Sequence, residues 1–133
     1  MKAVLDTNVF VSGIHWNGSS DKVLRAWKEG KFEHVSSLEI IEEISRTLSN
    51  FKVSLSADDI LWWGNLILEN SLIVVPKIKL NIVKNDPDDN KFFEAALAGK
   101  VDYIVSQDKK HVLKIKEYKG FKTISPEEFL KLI

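Results

Sequence analysis

A chain of 133 residues, 44% apolar and 29% charged, fits one soluble globular domain with a core of its own. Its 19 acidic and 19 basic side chains cancel, so no global field draws nucleic acid or membrane to the whole surface. The lack of cysteine excludes disulfides and thiolate metal sites, and no run approaches the roughly 18 apolar residues that a membrane span needs.

Ala3, Val4 and Leu5 form a short apolar run that stops abruptly at Asp6, Thr7 and Asn8. An unbroken run of this kind fits a strand buried on both faces, as in a parallel sheet. It is also too short for a signal peptide, which makes the cytoplasm the expected location. Val9 to Ile14 is expected to carry on from that strand into a turn, with Gly13, Asn17-Gly18 and Ser19-Ser20 as punctuation. Asp21 opens a helical pattern through Val23, Leu24 and Trp27 that Gly30 closes, and Phe32 to Ser36 reads as a short strand.

Ser37 can cap the next helix, whose apolar positions Leu38, Ile41, Ile44 and Leu48 share a face. Ser56, with Asp59 three residues on, starts another that contains Ile60, Leu61, Trp63, Leu66 and Ile67. Leu72 to Val75 is a strand stopped by Pro76, and residues 76 to 85 are loop or weak strand. Asp86-Pro87-Asp88-Asp89 opens a helix to Ala98, with Gly99 as its terminator.

Tyr103, Ile104 and Val105 then repeat the opening pattern, an apolar run followed by Ser106, Gln107 and Asp108. A lysine-rich helix near Lys109 to Ile115, a strand from Lys122 to Ile124 and a helix begun by Ser125-Pro126 complete the chain. Strand-helix alternation without repeat or linker argues a single α/β domain with a parallel sheet.

Each acid has an ordinary explanation. Asp6 and Asp108 can start turns or cap helices, and Asp86, Asp88 and Asp89 complement a helix dipole. Glu42 pairs with Arg46 four residues on, and Glu39 lies opposite the apolar stripe. Glu43 falls on the flank of that stripe, one turn from Ile40 and Thr47, where it can look along the core edge toward the sheet.

Taken together the acids say more. Parallel strands put their carboxyl ends on one edge, where open α/β sheets bind ligands, so Asp6 and Asp108 converge if their strands are neighbours. A helix N-terminus at that edge would bring Asp89 to the same place. Like charges so close raise each other's pKa unless a cation sits between them. Carboxylates suit Mg²⁺ or Mn²⁺ and not zinc, and such a site can activate water on a phosphodiester. His15, His34 and His111 are scattered and are assigned no role. Trp16, Trp27, Trp62 and Trp63 are assigned to the core or a dimer face, with Trp16 also a candidate platform for base stacking. The lysines after Asp108 form a basic stripe beside the acids, although a lysine-rich surface helix is the commoner explanation.

The segments VLDTNVFVSG, IIEEISRTL, DPDDNKFFEAALAGKVDYIVSQDKKHVL and TISPEEFL, in this order and spacing, resemble PIN-domain proteins over essentially the whole chain. Within that family they are most similar to the small prokaryotic VapC-like toxins of toxin–antitoxin pairs. The resemblance implies a three-layer α/β/α sandwich, an acidic site for Mg²⁺ or Mn²⁺, cleavage of single-stranded RNA, homodimerisation and a cognate antitoxin. By position, Asp6, Asp89 and Asp108 match the metal ligands and Glu43 the helix glutamate that orients water or acts as general base. Asp86 matches an outer participant; Asn8 and Ser106 match small polar positions that support the acids, Ser106 standing where many relatives have threonine. A one-residue insertion would exchange Asp88 and Asp89, so the choice between them stays open. Lys109, Lys110 and Lys114 are the candidates for holding the RNA backbone.

Three rivals remain. A phosphatase of the haloacid dehalogenase type also uses an aspartate after its first strand, but wants a second one where Asn8 stands. A non-catalytic module would use the acids as caps and bind RNA or protein through the lysines. An RNA-processing nuclease would share the chemistry without a toxin role.

Overall fold

The computed structural model describes residues 1–53 and 55–133. Its strands are β1 (Lys2–Leu5), β2 (Glu33–Ser36), β3 (Leu72–Ile73), β4 (Tyr103–Val105), β5 (Glu117–Tyr118) and β6 (Phe121–Ile124). They form one sheet in the order β3-β2-β1-β4-β6-β5, parallel except for the edge hairpin of β5 with β6. The helices are α1 (Thr7–His15), α2 (Ser19–Lys28), α3 (Leu38–Asn50), α4 (Ala57–Asn70), α5 (Asn90–Gly99), α6 (Val112–Ile115) and α7 (Pro126–Leu130).

The chain leaves β1 for β2 and β3 on one side, then returns past β1 to β4 and β6 on the other. Right-handed crossovers therefore send the helices before β3 to one face and α5 to the opposite one. α1, α2 and α7 pack together, while α5 lies on β1, β2 and β4. The result is the three-layer α/β/α sandwich with the strand order reversing between β1 and β4. Ala3, Val4, Leu5, Ile104 and Val105 are fully buried there, as continuous apolar runs in a covered parallel sheet should be. No helix among the described residues is long and apolar enough to cross a membrane.

Several local expectations give way to tertiary packing. Val9 to Ile14 is not an extended segment but the body of α1, where Val9, Phe10 and Val11 are buried. Gly13 is helical because α2 lies close: an added Cβ would stand 2.7 Å from Leu24 Cδ1 and 2.9 Å from the Ser20 carbonyl oxygen. Gly99 likewise belongs to its helix, where a Cβ would lie 2.6 Å from Val35 Cγ1; the left-handed terminator is Lys100, at φ 52°. On α3 the buried stripe is Ile40, Ile41, Ile44 and Leu48, with Leu38 exposed.

The strand expected over Leu72 to Val75 is the two-residue β3, and residues 109 to 111 form a turn ahead of the short α6. Residues 76 to 85 contain no strand; the Leu80 N–H donates to Glu94 Oε2 at 2.9 Å, and the Ile82 and Val83 N–H groups donate to Asn90 Oδ1. The serine caps are as expected, with Ser37, Ser56 and Ser125 each accepting an N–H three residues on.

Of the tryptophans only Trp27 is fully in the core; Trp16 and Trp62 are exposed, and Trp63 is half-buried against Trp62. α4 buries one residue, Ile67, and leaves Leu61, Trp62 and Leu68 in the open. His34 is structural. It is wholly buried beside the rings of Phe10 and Trp27, its Nδ1 is 2.7 Å from Ser71 Oγ, and burial pushes its pKa down to about 3.

Candidate metal centre

Hydrogen bonding extends β1 and β4 beyond their last residues: the Asp6 N–H donates to the Val105 carbonyl at 2.9 Å. That places Asp6 beside Ser106 at the carboxyl end of the sheet, in the crevice where the strand order reverses. Ser106 Oγ donates to Asp6 Oδ2 at 2.6 Å and accepts from the Asp108 N–H at 3.0 Å, so one fully buried hydroxyl ties both strand ends together. The Asn8 carboxamide reaches Asp6 Oδ2 at 3.4 Å and accepts from the Gln107 N–H at 3.3 Å.

Asp89 arrives from the other side of the sheet. Pro87–Asp89 form one 3₁₀ turn ahead of α5, with Asp86 before it in the capping position but making no side-chain cap bond. Asp86 turns instead toward Asp89 and His111; one ligand atom from each of the three lies within 4.8 Å of the others. Asp89 Oδ2 is buried and has no hydrogen-bond partner. Asp88, the alternative one residue earlier, is mostly exposed and lies 3.4 Å from Lys91 Nζ.

The electrostatics follow from this crowding. Burial is the main reason the Asp6 pKa rises to about 6; the Ser106 hydrogen bond opposes it, and the charges of Glu43 and Asp108 add to it. Asp89 is pushed up to about 8, first by desolvation and then by the charges of Asp6, Asp86 and Asp108. Asp108 also caps its own turn, since Oδ1 accepts from the Lys110 and His111 N–H groups at 3.1 Å. Its Oδ2 lies 3.3 Å from His111 Nδ1.

The flank position of Glu43 brings it to this edge, largely shielded from water. Thr7 Oγ1 donates to Glu43 Oε2, and Lys91 Nζ stands 2.6 Å from Oε1. Lys91 is 4% exposed. Burial works against its charge, yet Glu43 and then Asp88 leave its pKa above the ordinary lysine value.

The PIN-domain family model matches residues 2–110. The chain belongs to the PIN-domain family. PIN domains are nucleases as a family. A search of curated proteins returned no match. Among solved structures, this PIN domain is similar to a chain of VapBC2 from Rickettsia felis bound to a promoter DNA fragment. Identity is 16% and the TM-score 0.61, over 94% of this chain and 98% of that one. VapBC-1 from nontypeable Haemophilus influenzae gives 14% identity and a TM-score of 0.62, over 96% and 99%. FitAB bound to the IR36 DNA fragment gives 12% and 0.58, over 93% and 94%. At these identities the likeness carries the fold.

Charge coupling links Asp6 of this PIN domain to Glu43, Asp89 and Asp108 at this edge. Among the described residues, however, the group whose ligand atoms lie within 4.8 Å of one another is Asp86, Asp89 and His111, not Asp6, Asp89 and Asp108. Lys109, Lys110 and Lys114 are exposed, on and just after the turn that follows Asp108. Three participants escaped the sequence reading. His111 was given no role, although three-residue spacing on a turn was enough to bring its ring to Asp108. Thr7 lies in the segment that closes β1 and Lys91 just after the acidic run ahead of α5, and neither position in the sequence marks a role.

Proposed function

We propose that this PIN domain is a metal-dependent endoribonuclease that hydrolyses single-stranded RNA and serves as the toxin of a toxin–antitoxin pair. The observation that carries the chemistry is the buried Asp89 Oδ2, without a hydrogen-bond partner of good geometry. Burial and then the charges of Asp6 and Asp108, whose strand ends Ser106 ties together, push the pKa of that carboxylate up. Carboxylates with no lysine or arginine among them fit a hard divalent ion, Mg²⁺ or Mn²⁺, with Asp6, Asp89 and Asp108 as the residues that would hold it. Bound there, such an ion supplies neutralisation of the scissile phosphate and acidifies a water.

The chain's own residues do the rest. Ser106 and Asn8 fix the Asp6 carboxylate, and the turn N–H groups fix Asp108. Glu43, held by Thr7 and Lys91, faces the same mouth and orients the attacking water. Exposed Lys109, Lys110 and Lys114 hold the RNA backbone by charge. In-line attack leaves a 5′-phosphate and a 3′-hydroxyl.

The partner reading rests on the fold shared with the VapBC structures and on the exposed apolar side chains of α4, which suit an antitoxin or a second copy of the chain in the cytoplasm. The test is cleavage of single-stranded RNA with Mn²⁺ by wild type, Asp6→Asn and Asp108→Asn. Cleavage by wild type alone is expected; equal cleavage by all three would trace the activity to a contaminant. The cap function of Asp108 favours a purely structural reading of that one acid. It offers no reason for Asp6, which is 4% exposed and caps nothing through its side chain.

A further inference from the structure

Lys91 sits where a lysine gains nothing by itself. It is the second residue of α5, at the positive end of the helix dipole, and its side chain is 4% exposed. Desolvation, dipole and lost side-chain freedom all oppose a charge there. Only Glu43 and Asp88 offset them, at 2.6 Å and 3.4 Å. A buried ion pair of this kind adds little net stability over an apolar pair, so stability alone does not account for it. Its position is informative: the ammonium lies on the Glu43 side of the acidic mouth, on the carboxylate that a second metal would need.

Two-metal sites hold their ions about 4 Å apart and share the surrounding carboxylates between them. Here each Glu43 oxygen already accepts one hydrogen bond, Oε1 from Lys91 Nζ and Oε2 from Thr7 Oγ1, so its charge is met by the ammonium while a lone pair stays open to water. Asp88 faces the same ammonium. Asp6, Asp89 and Asp108 are in contrast free of any lysine or arginine within ion-pair distance among the described residues. The mouth therefore divides into one half already neutralised by the chain and one that is not.

We propose that Lys91 is the built-in second cation of this site: its ammonium occupies the Glu43–Asp88 side permanently, so the domain takes one divalent ion where two carboxylate clusters would otherwise take two. Lys91 is then a positioning residue acting through Glu43. This rests on the metal-dependent reading above, and the count of bound ions separates the two.

Equilibrium dialysis with Mn²⁺ alone, backed by anomalous scattering from Mn²⁺-soaked crystals, is the experiment. Wild type should bind one Mn²⁺ per chain, and Lys91→Arg, which keeps the charge, should also bind one. Lys91→Met keeps the length and removes the charge; it should bind a second Mn²⁺ with Glu43 as a ligand. Glu43→Gln added to Lys91→Met should return the count to one. Two ions on wild type, or one on a folded Lys91→Met, would overturn the inference while leaving the nuclease reading intact. If Lys91→Met does not fold, the wild-type count and the identity of its ligands decide. No Mn²⁺ on wild type would remove the metal reading and this inference with it.

Discussion

The two halves of the acidic mouth contain the same kind of side chain and end up in different electrostatic states. On the Glu43 side, a lysine and a threonine hydroxyl supply what the carboxylate lacks. On the other side the Ser106 hydroxyl and the Asn8 amide orient Asp6, while Asp89 Oδ2 has no partner. No lysine or arginine reaches either acid, and their pKa values rise to about 6 and about 8. The contrast teaches that a carboxylate cluster is not a site by composition. One half is finished by the fold, and the other is left short of positive charge, the condition under which a soluble cation is bound.

The largest expected effect comes from the unfinished half. Asp6→Asn or Asp108→Asn should lower cleavage roughly a thousandfold, about 4 kcal/mol of transition-state stabilisation, as loss of a metal ligand does. Asp6→Asn should leave the metal-free protein at least as stable as wild type, because burial already disfavours the charge it removes. A melt without and with Mn²⁺ reads both properties: the variant should lose the Mn²⁺-induced rise in Tm without losing its fold. A variant that unfolds instead would make Asp6 a structural residue and erase the contrast.

Ser106→Ala should come next, at about ten- to a hundredfold in Mn²⁺ affinity. The hydroxyl touches both Asp6 and the Asp108 backbone, so its loss loosens two ligands while leaving their charges in place. A titration showing unchanged affinity would mean that the strand ends are aligned by the sheet alone.

A third prediction uses pH to set the mouth against the core. His34 stays neutral in the fold down to about pH 3, whereas in the unfolded chain it takes up a proton near 6.5. Below 6.5 the unfolded state therefore binds more protons, and stability falls as pH falls, by about 2 kcal/mol at pH 5. Asp6 works in the opposite sense. Its folded pKa of about 6 exceeds the unfolded 3.8, so the folded state binds more protons between those values and stability rises as pH falls through that window. Asp89, with a folded pKa of about 8 against 3.8 unfolded, works in the same sense as Asp6. Metal-free protein should therefore gain stability as pH falls from about 8 toward about 5, despite His34. Saturating Mn²⁺ keeps Asp6 and Asp89 ionised and should expose the His34 slope, which His34→Phe should flatten. Identical acid limbs with and without Mn²⁺ would show that Asp6 is not where the ion binds.

The parts of this arrangement that were legible in the sequence are those set by strand ends. Short apolar runs closing on Asp6 and on Ser106-Gln107-Asp108 gave the parallel sheet and its loaded edge, because burial on both faces leaves little freedom in such segments. α1 was not legible. Its β-branched residues and Gly13 read as strand and turn, whereas close packing on α2 made them helix. The role of Lys91 was hidden for a similar reason: sequence placed it among acids, but only the packing of α5 across β1 and β2 brings it to Glu43, 48 residues away. The Asp88–Asp89 ambiguity was likewise a matter of rotation within one 3₁₀ turn, which sends one carboxylate to solvent and the other inward.

The smallest expected effects lie outside both halves, on the exposed lysines after Asp108. Lys109→Gln, Lys110→Gln or Lys114→Gln should each weaken RNA binding by about 0.5–1 kcal/mol, since a solvated phosphate contact is worth little more. Each lost contact should also reduce the slope of log affinity against log salt by about 0.7, the value for single strands. The cap at Asp108 uses the Lys110 backbone N–H and not its side chain, so these variants leave the acidic mouth unchanged. KM for RNA should therefore rise while kcat and the Mn²⁺ affinity stay the same. A fall in kcat with KM unchanged would move these lysines from the approach path into the reacting site, and the division of labour between a neutralised half, an open half and a basic approach would have to be redrawn.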